Sequence, residues 1–353
     1  MSKAYILYTM DNSPYSDKVR AFLRYKRVPI LEHTENAETR FSVLQARTGK
    51  TMVPVVLTPD DEAINDSTTI TARIETICPT PPTRWKDCVA DTIGMLLEDY
   101  ADEWLVRIML CSRWYHAEDA AQNAALIAGA MTHGVYGVEF QRAAREFPPT
   151  IISTLPKMGA TPQNAQSWYA MLTPILEALD RALSRSLFLT GSAPHQCDFA
   201  FYGQLNQIRR DPTGSQWIAA GPESVRAWLG RIEGACAPGA SAVPVSLVDL
   251  GALEPLVRLM SATYLRMQVA NALAVETGQP EAHADLEGMQ FSATPARYNL
   301  KLLGANLDLL ETLYGQGHVL PVFAERAILA ELRPLAAASS PLLASRPTIA
   351  RHL

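Results

Sequence analysis

The stretch KAYILYTMDNSPYSDKVRAFLRYK, residues 3–26, contains a short apolar segment, a turn and an amphipathic segment in direct succession. Residues 3–8 are aromatic and branched, which predicts a buried strand. In residues 14–26 the apolar side chains recur at helical spacing and most charged ones lie off that stripe, which predicts a helix with one face in the core. The apolar positions are Val19, Phe22 and Leu23, and the charged positions off the stripe are Asp17, Lys18, Arg20 and Arg24.

Ser13 stands at the junction of these two segments, directly before Pro14. Proline suits the first position of a helix, where its missing N–H has no partner to lose. Ser13 is then the N-cap, and its hydroxyl can accept a backbone N–H bond. The start of a helix also carries positive partial charge, which stabilises an anion. Capping alone explains Ser13, and contact with an anionic ligand is the alternative.

The next segments continue the same alternation of strand and helix. RVPILEHTE, residues 27–35, predicts a second strand, and PVVL, residues 54–57, predicts a third. AIN, residues 63–65, follows a turn rich in Pro and Asp and predicts a return strand. DSTTITARIETI, residues 66–77, predicts a capped helix. The order βαβ followed by ββα predicts a thioredoxin-like α/β domain over residues 1–78, with a four-stranded mixed sheet.

Three motifs occur in order in this domain: SPYSDKVR (13–20), MVPVV (52–56) and NDSTTI (65–70). The first is similar to the Ser- or Cys-led start of the first helix in zeta- and omega-class glutathione S-transferases. The second resembles the Val-Pro pair whose proline is cis in that superfamily, and the third resembles its acidic residue–Ser pair. Together they identify the chain as similar to the cytosolic glutathione S-transferases, with glutathione as co-substrate and no metal.

This resemblance implies a catalytic role for Ser13, whose hydroxyl would contact the glutathione thiol. Ser16, one turn later, is a weaker alternative, and Tyr8 is another because some classes use a tyrosine at the end of the first strand. Where omega-class proteins carry a cysteine, this chain carries Ser13. Disulfide exchange from that position is therefore excluded, because it needs a sulfur nucleophile.

The resemblance also implies a set of glutathione-binding residues. A cis bond before Pro54 would aim the main chain of Val53 at the cysteinyl backbone of glutathione. Ser67 and the helix amides would bind the γ-glutamyl carboxylate, and Asp66 would meet the ammonium group. Lys50 could face the glycyl carboxylate or lie in solvent. A trans proline and plain helix capping are the structural alternatives.

The rest of the chain predicts two helical units after a proline-dense linker, CPTPPTRW (78–85). Apolar residues recur at helical spacing over residues 86–236, which predicts an all-α domain like the second domain of a glutathione S-transferase. A second linker, CAPGASAVP (236–244), separates it from residues 245–353. Those residues predict an extra helical extension, which departs from the usual length of the superfamily.

FLTGSAPHQCDF, residues 188–199, resembles the turn and capping box that precede the buried helix of the second domain in this superfamily. Gly191 and Asp198 match the pattern, whereas His195 replaces the usual Ser or Thr cap. Asp198 can still accept the backbone N–H of His195. We expect a weakened cap here, and a functional role of His195 is the alternative.

The resemblance places an electrophile pocket between the first two domains. Tyr100, Trp104 and Arg107, on the first helix after the linker, are candidates for its wall, with Tyr8 and Tyr15 contributed by the first domain. Packing between helices is the alternative for the three residues on the helix. The identity of the electrophile does not follow from these residue types.

Composition narrows the functional class further. The formal net charge is −5 and no basic run occurs, which argues against nucleic acid and against an electrostatic membrane anchor. The sequence contains no apolar run of about 20 residues and no His/Cys cluster with metal-ligand spacing. Five cysteines without a CxxC motif indicate free thiols in a reducing cytoplasm.

Two functions fit this sequence. The first is an enzyme that activates the glutathione thiol for attack on a small hydrophobic electrophile, and the resemblance implies a cytoplasmic homodimer with a role in detoxification. The second is a catalytically silent glutathione-binding or protein-interaction member of the same fold. Retained binding motifs are expected in both, so turnover is the property that separates them.

Overall fold

The computed structural model describes residues 4–241, 244–247 and 249–353. Its N-terminal part contains a four-stranded mixed sheet with the order β2-β1-β3-β4. The strands are β1 Tyr5–Thr9, β2 Ile30–Thr34, β3 Val55–Leu57 and β4 Ala63–Asn65. β1 runs parallel to β2 and antiparallel to β3, and β3 runs antiparallel to β4. The thioredoxin-like fold predicted for this segment is confirmed.

The helices of this domain lie before, between and after the strands: α1 Pro14–Tyr25, α2 Ala37–Thr39, a π-helical turn Arg40–Gln45, α3 Ala46–Thr48 and α4 Ser67–Ile77. Val19, Phe22 and Leu23 of α1 are fully buried, as the stripe predicts. Asp17 and Lys18 were expected to lie outside the core, but both are buried as well. The reason is that α1 packs on α4 of its own domain and on two helices of the next domain.

Residues 88–236 form an all-α unit, as predicted. Its elements are α5 Cys88–Tyr100, a π-helical turn Ala101–Leu105, α6 Val106–Tyr115, α7 Ala117–Met131, α8 Val138–Ile152, a 3-10 turn Leu155–Met158, α9 Ala165–Ala170, α10 Leu172–Leu183, α11 Gln196–Arg210, α12 Pro212–Ala220 and α13 Glu223–Cys236. Helix α11 is buried over most of its length and packs on both α1 and α5. It therefore fixes the first domain on the second.

The extension is mostly helical: a 3-10 turn Leu250–Leu253, α14 Glu254–Met260, a π-helical turn Ser261–Leu265, α15 Arg266–Thr277, α16 Arg297–Gly315, α17 Val322–Ala337, α18 Pro341–Ala344 and α19 Pro347–His352. It also contains an antiparallel hairpin of β5 Ala282–Leu286 and β6 Met289–Ala293, which the helical prediction missed. The two turn residues, Glu287 and Gly288, both have positive φ, as a tight hairpin turn requires.

One apolar core runs from β1 to the last helix. Helix α14 packs on α5 and α10, and α16 packs on α5, so the extension covers the second domain directly. The boundaries at residues 78–86 and 236–245 stay predictions; residues 242 and 243 of the second linker lie outside the described residues. No helix in the described ranges is both long enough and apolar enough to cross a membrane.

Candidate functional site

The three predicted binding motifs converge because of the register of the sheet. Tyr8 of β1 is paired with Val55 of β3, and Val55 is paired with Asn65 of β4. The chain leaves β1 just after Tyr8, enters β3 just before Val55 and leaves β4 at Asn65. The segments that carry Ser13, Val53 and Asp66 therefore start from one end of the sheet, although more than fifty residues separate the first motif from the last.

Ser13 lies in the turn between β1 and α1. Its backbone is extended, with φ −103° and ψ 119°, and Pro14 begins the helix as predicted. The Ser13 Oγ accepts a hydrogen bond from the N–H of Ser16 at 3.2 Å, so the capping role is confirmed. The side chain is only partly buried. Because the cap uses a lone pair of the oxygen, the hydroxyl proton remains able to donate to another group.

Ser16, the weaker alternative, is fully buried. Its Oγ accepts the N–H of Met10 at 3.2 Å and so braces the same turn from inside. A ligand cannot reach a side chain without exposed surface. Ser13 is therefore the more accessible of the two hydroxyls.

The Val53–Pro54 peptide bond is cis, as the resemblance implies. Pro54 is buried and Val53 is half-buried, immediately before β3 begins. Among the described residues, the main-chain hydrogen bonds include none made by Val53. Its N–H and C=O are consequently available to pair with an extended peptide, which is the role predicted for them.

Asp66 and Ser67 form the start of α4. The Asp66 carboxylate accepts the N–H of Thr69 at 3.0 Å, so the predicted capping is present. Asp66 has φ +76°, a left-handed conformation that costs about 1–3 kcal/mol for a residue other than glycine. Its side chain is exposed, whereas Ser67 is 6% exposed. The ligand contacts predicted for this pair stay predictions.

A buried ion cluster ties the starts of α1 and α4 to the second domain. Lys18 of α1 donates to Glu98 of α5 and, at 2.5 Å, to Asp102 Oδ2. Thr68 of α4 accepts from Lys18 Nζ at 3.2 Å and donates to Glu98 Oε1 at 2.7 Å. Thr68 directly follows Ser67, so this cluster fixes one candidate binding helix relative to the other.

The charges of this cluster depend on one another. Burial lowers the pKa of Lys18, but the neighbouring Asp102 and Glu98 carboxylates outweigh that effect and raise it overall. Burial raises the pKa of Asp102 to about 7, against the opposing effect of Lys18 and together with the repulsion from Glu98. Lys18 therefore stays charged, while the Asp102 carboxyl is harder to ionise than a free one.

Tyr8 and Lys50 lie apart from this arrangement. Tyr8 is 9% exposed, packs with Leu44 and Val55, and stacks on His33 with ring centroids 5.6 Å apart. That packing does not support a catalytic or pocket role. Lys50 is exposed in the loop before the cis proline, so its contact with a glycyl carboxylate stays a prediction.

The burial of Tyr100 and Trp104 contradicts the prediction that they line a pocket, because neither side chain has exposed surface. Trp104 packs on Trp168 with ring centroids 4.9 Å apart, and Tyr100 packs against Phe201 and against Tyr264 of the extension. Helices of the second domain and of the extension pack around both residues, so the packing alternative describes them.

Arg107 is also buried, at 4% exposure. Its guanidinium donates to the main-chain oxygens of Glu103 and, at 3.4 Å, of Met158. Both hydrogen bonds hold the guanidinium inside the protein. Arg107 therefore binds main-chain oxygens inside the protein and does not line an open pocket. This corrects the prediction that Arg107 contributes to the pocket wall.

His195 caps α11, which settles the choice between its two predicted roles. Its N–H donates to Asp198 Oδ2 at 2.9 Å, as expected, and its Nδ1 accepts the N–H of Cys197 at 3.3 Å. The Nε2 lies 3.1 Å from Asp91 Oδ1. The ring is fully buried, so His195 is a structural cap without access to a ligand.

Tyr15 is half-buried beside the second domain. Its hydroxyl donates to the main-chain oxygen of Asp102 at 3.0 Å. Burial raises the pKa of Tyr15 well above its usual value, and the nearby Glu103 and Asp102 carboxylates raise it further. Tyr15 therefore keeps its proton, and its predicted place in the substrate pocket stays a prediction.

Tyr298 and Glu103 lie near the site but were not predicted from the sequence. Tyr298, at the start of α16, donates its hydroxyl proton to Glu103 Oε1 at 2.8 Å. Burial raises the pKa of Glu103, while Arg107 and Tyr298 oppose that change. The segment EDYADEW, residues 98–104, was a signal, since four acids in an otherwise apolar helix require partners. Nothing local indicated that one partner is about 200 residues away.

The first part of the chain matches the model of a known family. Residues 7–82 match the family model described as "Glutathione S-transferase, N-terminal domain". This range includes all three motifs that meet at the end of the sheet. No curated protein sequence is similar enough to count as a match.

Several solved structures are similar to this chain at low sequence identity. A β-etherase from Sphingobium sp. strain SYK-6 is 16% identical, with a TM-score of 0.47 and coverage of 65% of this chain and 95% of its own. A glutathione transferase from Phanerochaete chrysosporium is 15% identical, with a TM-score of 0.46 and coverage of 69% and 100%. A glutathione S-transferase from Methylobacterium radiotolerans, in complex with glutathione sulfonate, is 19% identical, with a TM-score of 0.40 and coverage of 70% and 100%.

Proposed function

We propose that this chain, whose residues 7–82 match the model of the glutathione S-transferase N-terminal domain, is a glutathione-dependent transferase that uses Ser13 to activate the thiol. The sulfur of glutathione would attack an electrophilic atom of a small molecule. A bond forms between sulfur and that atom, and the leaving group departs with its electron pair. The thiol proton passes to solvent before the attack.

The observation that supports this proposal is the convergence of three motifs at one end of the sheet. Val53 offers an unpaired main-chain N–H and C=O for the cysteinyl backbone of glutathione. Ser67 and the first amides of α4 suit the γ-glutamyl carboxylate, and Asp66 suits the ammonium group. Lys50 is exposed in the loop before the cis proline, and its ammonium group suits the glycyl carboxylate.

The energetics of thiol activation fit the position of Ser13. A free thiol has a pKa of about 8.5, and the thiolate is the nucleophile. Lowering that pKa by two units requires about 2.7 kcal/mol of preferential stabilisation of the thiolate. The start of a helix contributes about 0.3–1 kcal/mol and up to about 2 kcal/mol when partly buried. A hydroxyl hydrogen bond to a charged sulfur adds about 1.5–3 kcal/mol. Together these two effects are large enough.

The test compares Ser13→Gly, Ser13→Ala and Ser13→Thr. Glycine is nearly as good an N-cap as serine but lacks the hydroxyl, whereas alanine loses both. We expect Ser13→Gly to bind glutathione resin like the wild type and to lose about 10²-fold or more in turnover of 1-chloro-2,4-dinitrobenzene. Ser13→Thr should keep most activity. Full activity of Ser13→Gly would exclude the role of the hydroxyl, and failure of the wild type to bind glutathione would exclude the whole proposal.

We also propose that the protein acts as a cytoplasmic homodimer in detoxification. All five cysteines are free, which suits a reducing compartment. Phe41, Val135, Tyr136 and Val138 are large apolar side chains with 60% or more of their surface exposed. Phe41, Val135 and Val138 line an open groove of about 650 Å³ between the first domain and α8. Light scattering after size-exclusion chromatography tests the dimer, and a monomer mass at micromolar concentration would refute it.

A further inference from the structure

The extension reaches the candidate site through one tyrosine. Tyr298 is the second residue of α16, and its hydroxyl donates to Glu103 Oε1 at 2.8 Å. Its side chain is 54% exposed, so the ring has a free face beside this hydrogen bond. Helix α16 itself packs on α5 and on α15, which holds the tyrosine in a defined place.

Glu103 lies close to the starts of both candidate binding helices. The preceding residue, Asp102, accepts the Tyr15 hydroxyl on its main-chain oxygen, at 3.0 Å. Its carboxylate binds Lys18 at 2.5 Å and lies 3.5 Å from the Thr68 hydroxyl. Tyr15 is two residues from Ser13, and Thr68 directly follows Ser67. The π-helical turn that holds Glu103 therefore lies against the first turns of α1 and α4.

The electrostatics agree with this placement. Burial and the Glu103 carboxylate raise the pKa of Tyr298, and Asp66 raises it further. Asp66 also contributes to the raised pKa of Glu103, after burial. The contacts show where this place is: Thr68, next to Ser67, lies 3.5 Å from Asp102, and Tyr298 bonds to the adjacent Glu103. The three parts of the chain thus meet beside the predicted γ-glutamyl contact.

We propose that the extension supplies one wall of the electrophile pocket, in which Tyr298 and Tyr15 flank Glu103 and favour neutral aromatic electrophiles over anionic ones. This proposal rests on the proposed transferase function and names the substrate class of the same site. Tyr15 was already among the pocket residues that the resemblance implies, whereas Tyr298 and Glu103 were not, and the helix candidates Tyr100 and Trp104 are buried.

The chemistry of the wall sets this preference. The two phenol groups donate to Asp102 and Glu103, so their rings are held in place and present apolar faces to a flat substrate. Glu103 adds negative charge to the same wall. The nearby cation, Arg107, is buried and bound to main-chain oxygens, so it offers no guanidinium to an anionic substrate.

Binding of product conjugates tests the wall without requiring turnover. The probes are glutathione, S-(2,4-dinitrophenyl)glutathione and its analogue in which a carboxylate replaces one nitro group. Calorimetry on the full-length chain should give about tenfold tighter binding of the neutral conjugate than of the carboxylated one. Tyr298→Ala should weaken the neutral conjugate about tenfold, as expected for a lost aromatic contact, and leave glutathione within twofold. Tyr298→Phe, which keeps the ring, should retain most of that affinity.

Glu103→Gln tests the proposed preference for neutral over anionic conjugates. It should bind the carboxylated conjugate several-fold more tightly and so narrow the discrimination, while the neutral conjugate changes little. Val322→Ala is the control, because this exposed residue at the start of α17 belongs to the same extension. It should bind all three probes like the wild type. Tyr298→Phe and Glu103→Gln preserve shape, so they test the proposal even if Tyr298→Ala fails to fold.

The outcomes separate the two proposals. If the wild type binds glutathione but Tyr298→Ala and Glu103→Gln bind all probes as it does, the wall is refuted and the transferase function stands. Equal binding of the neutral and carboxylated conjugates to the wild type refutes the charge preference. If the wild type does not bind glutathione, the proposed function fails and this inference fails with it.

Discussion

Replacement of Lys18 by methionine should destabilise the protein strongly. The Lys18 side chain is 1% exposed, and its partners Glu98 and Asp102 are 3% and 6% exposed, so solvent screens this cluster very little. Removing one partner of a buried ion pair typically costs about 3–5 kcal/mol, because the remaining charges lose their compensation. A folded domain is stable by only about 5–15 kcal/mol, so the loss should be plain in a urea titration.

The pH dependence makes this prediction more specific. Asp102 has a pKa raised to about 7 even with Lys18 present, because burial and Glu98 oppose its ionisation. Without the lysine, the two carboxyl groups can avoid mutual repulsion only by staying protonated. Protonation becomes more costly as the pH rises. We therefore expect Lys18→Met to lose more stability at pH 8 than at pH 6.

Two further variants control the experiment. Combining Lys18→Met with Glu98→Gln and Asp102→Asn removes all three charges, and we expect this triple variant to recover most of the loss and its pH dependence. Lys157→Met changes an exposed lysine and should stay within about 0.5 kcal/mol of the wild type. Unfolding is followed by circular dichroism and tryptophan fluorescence. A loss below about 1 kcal/mol for Lys18→Met at pH 8 would refute the claim that this buried cluster joins the two domains.

Two other changes test the packing around the site. Burial raises the pKa of Asp99 to about 8, so the folded protein holds a proton that the unfolded chain releases above its ordinary value of 3.8. Stability should then fall between about pH 4 and pH 8, and Asp99→Asn should flatten this dependence in urea midpoints; an unchanged slope would contradict the assignment. An added Cβ at Gly203 would lie 2.4 Å from the Pro14 oxygen, so Gly203→Ala should cost about 1–3 kcal/mol and weaken glutathione binding. Gly230→Ala changes an exposed position of α13 with open space around it, and should instead be neutral or stabilising by up to about 1 kcal/mol. Similar melting temperatures for both variants would show that the protein relaxes the close approach at Gly203.

Local patterns accounted for much of the fold because the relevant interactions span only a few residues. The Ser13 cap, the alternation of strands and helices and the capping box at His195 all depend on contacts between near neighbours in the chain. The hairpin in the extension is also a local feature, and its Glu287–Gly288 turn between alternating residues is the sequence signal for it. The burial of Leu286 and Phe291 agrees with the alternation of buried and exposed residues along its two strands.

Long-range packing decided the rest. Lys18 looked like a surface residue because helical spacing shows only which side chains share a face, not how many faces a helix buries. Tyr100 and Trp104 looked equally suited to a pocket wall and to a core, and the helices packed around them put them in the core. The contact between Tyr298 and Glu103 joins segments about 200 residues apart, so no local pattern indicates it.

By itself, the sequence determined the thioredoxin-like first domain, the mostly helical remainder and the three motifs whose segments start from one end of the sheet. These features follow from backbone geometry, capping and periodicity, which act over one or two turns of chain. Only the tertiary structure decided which charges are buried together and which part of the extension lies beside the site. The reason is that burial and electrostatic pairing depend on all the elements packed around a residue, and the adjacent residues in the sequence do not determine them.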